Sequence, residues 1–129
     1  MHVEDDPDFR EMLAYLLTGR GDEVVGFGEA DSAKEYLLDE SKALPELIVL
    51  DVMMPGTDGL TFSNFLQENA RTRAVPIIVL TAKPGVEELF AHSTRVAAVL
   101  RKPVDINRLF TVIRGAIERS RQPRAPSGA

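Results

Sequence analysis

The 129-residue chain has no cysteine and no tryptophan. The first absence excludes disulfides and thiolate metal sites. The second removes the indole whose quenching would report on a site nearby. No apolar run reaches the roughly 18 residues that a membrane span needs. The acidic start also lacks the basic stretch that opens a signal peptide. A cytoplasmic protein with no membrane contact is therefore predicted. Basic residues are scarce over residues 1–100, which hold 8 Lys+Arg against 18 Asp+Glu, a balance of −10. Such an acidic body argues against direct nucleic-acid binding. Residues 101–129 carry 7 basic and 2 acidic residues, a balance of +5. This end could contact an acidic partner, but it reads more simply as a solvated last helix and tail.

What is present is ordinary for one soluble domain: 44% apolar residues, 27% charged residues, and enough length for one core. Strand and helix signals alternate about five times. A very short strand ends at Val3. Pro7 to Gly19 reads as a helix with Phe9, Met12, Leu13, Leu16 and Leu17 inward. Glu23 to Phe27 reads as a strand, and Asp31 or Ser32 as the cap of a helix ending at Leu38. Leu47 to Leu50 is a fully apolar strand. A helix over 60–69 follows, with Leu60, Phe62, Phe65 and Leu66 inward. Pro76 opens the strand Ile77 to Leu80, Val86 to Thr94 is a short helix, and Ala97 to Leu100 is a fifth strand. Asp105 caps a last helix with Ile106, Leu109, Phe110, Val112, Ile113 and Ile117 inward. Gln122 to Ala129 has the composition of a disordered tail. This alternation implies a parallel sheet with helices on both faces, an α/β architecture.

Ligands bind at the carboxyl ends of such strands. The residues expected there are Glu4-Asp5-Asp6, Asp51, Thr81-Ala82 and Lys102-Pro103. Carboxylates gathered at one edge repel one another unless a cation neutralises them. An all-oxygen set suits a hard ion such as Mg2+. Taken singly, each residue has a simpler explanation. A strand-end aspartate is usually a cap, a strand threonine is common, and a lone lysine is usually solvated. His2 and His92 lack ligand-like spacing and are read as structural or incidental.

Val3-Glu4-Asp5-Asp6-Pro7, Leu50-Asp51-Val52-Met53-Met54-Pro55-Gly56, Leu80-Thr81-Ala82 and Arg101-Lys102-Pro103, in this order and spacing, resemble the receiver domain of bacterial two-component response regulators. The resemblance covers residues 1–120 and leaves 121–129 as a tail. It implies a flavodoxin-like, doubly wound, five-stranded parallel sheet of order 2-1-3-4-5. It also implies Asp51 as phosphoacceptor, with Mg2+ held by Glu4, Asp5, Asp51 and the Met53 backbone carbonyl. Lys102 and Thr81 would contact the phosphoryl oxygens. Lys102-Pro103 would be a cis peptide, and Gly59 would be needed for a positive φ or for close packing. Asp6 would be an outer member of the acidic set or simply a helix-terminal charge. The implied partners are a sensor histidine kinase or phosphotransfer protein and an unidentified downstream protein, with the 86–120 face used for partners and for a homodimer. Such a protein is no enzyme in the ordinary sense, although it assists its own phosphorylation and dephosphorylation.

Three departures stand out. The first strand is truncated to Met1, His2 and Val3, which implies a loss of several kcal/mol or compensation by upstream residues, exchange or dimerisation. Val99 stands where the family has its switch aromatic. The stretch from Thr81 to Lys102 is about one residue short. A phosphorylation-independent pseudo-receiver, acting as an interaction module, is the alternative function. An aspartyl-phosphate phosphatase would carry a second aspartate where this chain has Met53, which weighs against that activity.

Overall fold

The computed structural model describes residues 1–52, 59–91 and 93–121. Five parallel strands, β1 (His2–Val3), β2 (Gly26–Phe27), β3 (Ile48–Asp51), β4 (Ile77–Thr81) and β5 (Val96–Arg101), form one sheet of order β2-β1-β3-β4-β5. Four helices accompany it: α1 (Pro7–Gly19), α2 (Ala30–Leu38), α3 (Gly59–Glu68) and α4 (Ile106–Arg121). The doubly wound fold and its strand order are those implied by the sequence. Among the described residues, no helix is long and apolar enough to cross a membrane.

The central strands are apolar on consecutive residues because both sheet faces are covered. Successive side chains point to opposite faces. Ile48 and Leu50 of β3, with Ile77 and Val79 of β4, join one cluster with Ala33, Leu37, Phe62 and Leu66. Val49, Ile78 and Leu80 join the other, with Leu13, Leu17, Leu109 and Ile113. Strand alternation thus distributes one apolar run between two cores.

Some boundaries differ from the sequence reading for identifiable reasons. The β2 strand keeps only Gly26–Phe27, not Glu23–Phe27, because its neighbour β1 is two residues long and offers pairing only to them. Helix α2 starts at Ala30, with Glu29 at its N-cap and no side-chain cap bond, so neither Asp31 nor Ser32 caps it. Met12 is exposed and does not face the core as expected, because Leu13 and Leu17 fill that side of α1. The expected 86–94 helix is a single 3-10 helix, Val86–Phe90. Its N–H groups bond three residues back, Glu88 to Gly85 O, Ala91 to Glu88 O and Ser93 to Phe90 O, which is 3-10 and not α-helical pairing. Helix α4 runs to Arg121, one residue past the expected boundary.

The short β1 has a further consequence. Met1 carries the β1–β3 pairing one residue further: its amino group donates to Leu47 O at 3.1 Å and its carbonyl accepts from the Val49 N–H at 2.9 Å. Beneath it lies a cavity of about 420 Å3 bordered by Leu17, Val24, Leu47, Val49 and Ile113.

Candidate functional site

Register places the chemistry. Val3 pairs with Leu50, so Glu4 and Asp51 follow side by side at the carboxyl edge. Asp51 pairs with Leu80, and Thr81 pairs with Arg101, which sets Thr81 and Lys102 beside them. Glu4, Asp5 and Asp51 each present a carboxylate oxygen within 4.8 Å of the other two. Glu4 is 2% exposed and Asp51 3%, while Asp5 is open to solvent. Two unit charges about 4 Å apart repel by roughly 4 kcal/mol at an effective dielectric of 20. Three carboxylates therefore require more than one positive charge.

Lys102 supplies the first. Its ammonium donates to Glu4 Oε1 and Oε2 at 3.1 and 3.0 Å and lies 3.6 Å from Asp51 Oδ2. The Lys102-Pro103 peptide is cis. The ammonium also lies 4.6 Å from the centroid of the Phe9 ring. Phe9 thus covers one side of the cation while Glu4 and Asp51 hold it. A lysine alone leaves the set net negative. The remaining oxygen donors, two buried and one open, fit a hard divalent cation. Burial pushes the Glu4 carboxyl up to about 7; Lys102 opposes this and the Asp51 charge adds to it. Asp5 is also raised, by partial desolvation and then by Asp51. Burial is the larger cause of both shifts and the Asp51 charge adds to each; a cation at the cluster would oppose both.

Thr81 is fully buried at the end of β4, and its hydroxyl accepts from the Lys83 N–H at 3.0 Å. Asp6 lies outside the carboxylate trio. Its carboxylate accepts from the N–H groups of Asp8 and Phe9 at 3.0 and 3.3 Å and caps α1. Gly59 does not have positive φ. It is required by close packing, since a Cβ there would lie 2.4 Å from Val52 Cα. Val99 is half-buried, pairs with Val79 and packs against the core on the α2–α3 face. His2 is buried on β1, and neither ring nitrogen has a hydrogen-bond partner among the described residues. Met53, His92 and the 122–129 tail lie outside the described residues.

Sequence reading assigned Phe9 only to the core stripe of α1 and gave Arg10 no role. In the structure Phe9 lies under Lys102, and Arg10 donates from Nη1 to Glu4 O at 2.7 Å. Neither contact has a local sequence signal, because each depends on how α1 meets the sheet edge.

Replacing Lys102 with alanine is expected to leave the buried Glu4 without its cation. Removing one partner of a buried pair costs on the order of 3–5 kcal/mol. Thermal unfolding in chelator should show this loss, and Mg2+ should restore part of it. A melt unchanged from the wild type would contradict the pairing.

A five-stranded parallel sheet with carboxylates, a hydroxyl and an ammonium at one edge defines a class of protein, and comparison with known proteins gives its family. Residues 1–114 match the response regulator receiver domain. The chain belongs to that family. It is 34% identical over 119 residues to response regulator Rre1 of Synechocystis, covering 91% of this chain and 50% of that protein. Identity and coverage are the same for the phosphate regulon transcriptional regulatory protein PhoB of Klebsiella pneumoniae. The chain spans about half the length of these relatives. Among solved structures, a response regulator receiver protein from Pseudomonas putida is 30% identical, with a TM-score of 0.80 over 88% of this chain and 93% of that one. A putative response regulator from Chloroflexus aurantiacus is 25% identical, with a TM-score of 0.82 over 91% and 94%.

Proposed function

We propose that this domain accepts a phosphoryl group on Asp51 from the phosphohistidine of a sensor kinase or phosphotransfer protein, and that the acyl phosphate switches binding of a downstream protein. One observation carries the reading. Asp51 stands at the carboxyl end of β3 within 4.8 Å of Glu4 and Asp5 oxygens and 3.6 Å from the Lys102 ammonium. An oxygen of Asp51 bonds to phosphorus as the bond to the donor nitrogen breaks, and that nitrogen keeps the electron pair. Lys102, already beside Asp51, would turn to the phosphoryl oxygens. Thr81 would give up its contact with Lys83 to donate to one of them. Glu4, Asp5, Asp51 and the Met53 carbonyl would hold Mg2+. When bound, that ion offsets charge on the carboxylates and on the transferring group.

The domain assists this transfer and the later hydrolysis of the acyl phosphate, in which water takes the phosphoryl group as inorganic phosphate and Asp51 is left as the carboxylate; it turns over no separate substrate. Its setting would be the cytoplasm. The 86–120 face would meet partners or a second copy. With Val99 in place of an aromatic ring, the signal would pass through the loop after Thr81 and the 3-10 helix, because valine has no ring to turn inward. Phosphorylation then biases a two-state equilibrium that a partner reads.

Incubation with acetyl phosphate and Mg2+ tests the reading through intact mass. One phosphoryl adduct that does not form when Mg2+ is chelated is expected. A folded protein that takes up no phosphoryl group would favour the phosphorylation-independent interaction module.

A further inference from the structure

The β1–β2 ladder ends in an unusual way. His2 N–H donates to Val25 O and Glu4 N–H donates to Phe27 O, both at 2.9 Å. Val3 pairs with Phe27, so Glu4 stands opposite Gly28. In a parallel ladder the next rung would bring the Glu29 N–H to the Glu4 carbonyl. Glu29 instead turns away as the N-cap residue of α2. A buried carbonyl left without a donor is costly. The guanidinium of Arg10, reaching back from the first turns of α1, fills the place and donates from Nη1 at 2.7 Å.

Gly28 makes this possible. A Cβ built there would lie 2.9 Å from Arg10 Nη1, and its nearest neighbours would all be guanidinium atoms. Gly28 is not at positive φ, so its backbone does not demand glycine. The space it leaves is taken by Arg10. Glu4 is thus fixed at its N–H by Phe27, at its carbonyl by Arg10 and at its carboxylate by Lys102 and the Asp6 N–H. The Glu4–Asp5 peptide, which carries two of the three clustered carboxylates, takes its direction from these ties.

We propose that Arg10 is a positioning residue of this site: its guanidinium replaces the missing ladder donor at the Glu4 carbonyl and sets the Glu4–Asp5 step for a divalent cation. The inference rests on the metal-dependent reading above. Arg10 does not touch the carboxylates and acts through the carbonyl. Charge alone therefore does not reproduce its effect, and shifting the guanidinium away from the carbonyl acts in the same direction as deleting it, to a smaller extent. Supporting groups around metal ligands typically contribute on the order of 10–100-fold in affinity.

The test compares wild type, Arg10→Ala, Arg10→Lys and Gly28→Ala, with Mn2+ as a paramagnetic probe that suits carboxylate sites. Arg10→Ala is expected to weaken Mn2+ binding by on the order of 10-fold. Gly28→Ala should weaken it in the same direction with the charge retained, and Arg10→Lys should recover part of the loss. The backbone amide of Asp5, which shares its peptide group with the Glu4 carbonyl, gives a second readout without metal. Its NMR shift should move in Arg10→Ala and Gly28→Ala while amides of β4 and β5 stay in place. Should Arg10→Ala fail to fold, Gly28→Ala carries the test alone. Mn2+ affinity unchanged in both variants would overturn the proposal, as would an unmoved Asp5 amide. A wild type that binds no Mn2+ would remove the metal-dependent reading and this inference with it. A wild type that binds Mn2+ beside unaffected variants would remove the inference alone.

Discussion

Asp51→Asn is expected to take up no phosphoryl group from acetyl phosphate, whereas the wild type gains one adduct. An amide is not a nucleophile toward phosphorus under these conditions, and Glu4, the other buried carboxylate beside Lys102, already accepts from that ammonium and from the Asp6 N–H. The fold should survive, because asparagine nearly matches aspartate in volume. Removing one of three clustered negative charges should also lower the Glu4 pKa in part, since Asp51 adds to the burial that holds it up. Metal-free Asp51→Asn should therefore be more stable than the wild type near neutral pH, by on the order of 1 kcal/mol. Divalent-ion affinity should drop by at least about 10-fold, because a ligand is lost. Intact mass, urea unfolding in chelator and a Mn2+ titration check the three parts. Full phosphoryl uptake by Asp51→Asn would remove Asp51 as acceptor.

His2→Leu is expected to change how stability depends on pH. Two buried groups two residues apart, Glu4 and His2, oppose each other here. Glu4 has its pKa raised from 4.5 to about 7, chiefly by burial. The folded state therefore holds its proton more tightly than the unfolded chain does. The stability from this group is complete below pH 4.5 and is lost as pH rises through about 7. His2 has its pKa lowered from 6.5 to about 4, first by burial and then by the terminal ammonium and Arg10. Here the unfolded chain takes up the proton first, so stability is lost as pH falls through 6.5 toward 4. Between pH 4.5 and 6, each group changes stability by about 2 kcal/mol with opposite sign. The amino terminus, whose pKa burial lowers to about 6, begins to titrate at the upper limit but is present in both proteins. Removing the imidazole leaves the Glu4 slope uncompensated. Relative to the wild type, metal-free His2→Leu should lose about 2 kcal/mol more on going from pH 4.5 to 6, and groups common to both cancel. Urea unfolding in chelator at the two pH values measures this. Parallel profiles would show that His2 titrates as an ordinary exposed histidine.

Much of this arrangement was legible in the residues because it depends on periodicity. Ile48 to Leu50 and Ile77 to Leu80 are apolar on consecutive positions, which only a strand covered on both faces requires. Pro7 and Gly19 bracket α1 at the predicted ends. Once the strands are placed, Glu4, Asp51, Thr81 and Lys102 fall at one edge by register. The parts that were not legible are those decided by tertiary contact. The shortening of β2 follows from the shortness of β1, and no residue within 23–27 announces it. The 3-10 helix at Val86–Phe90 buries Val86 and Phe90 against the core, and the local sequence Val-Glu-Glu-Leu-Phe is compatible with either helix type. Gly28 reads as a turn glycine until the Arg10 guanidinium is seen against it. Asp6 was ambiguous between ion site and cap, and two N–H donors settle it as a cap.

Locating the phosphoryl group tests the central claim most directly. The wild-type domain would be treated with acetyl phosphate and Mg2+ and then with hydroxylamine, which converts an acyl phosphate to a hydroxamate, and the modified residue would be found by peptide mass spectrometry. A hydroxamate at Asp51 alone, absent when Mg2+ is chelated, is the expected result. A tag at Glu4 or Asp5, or none at all in protein shown to be folded, would contradict the account.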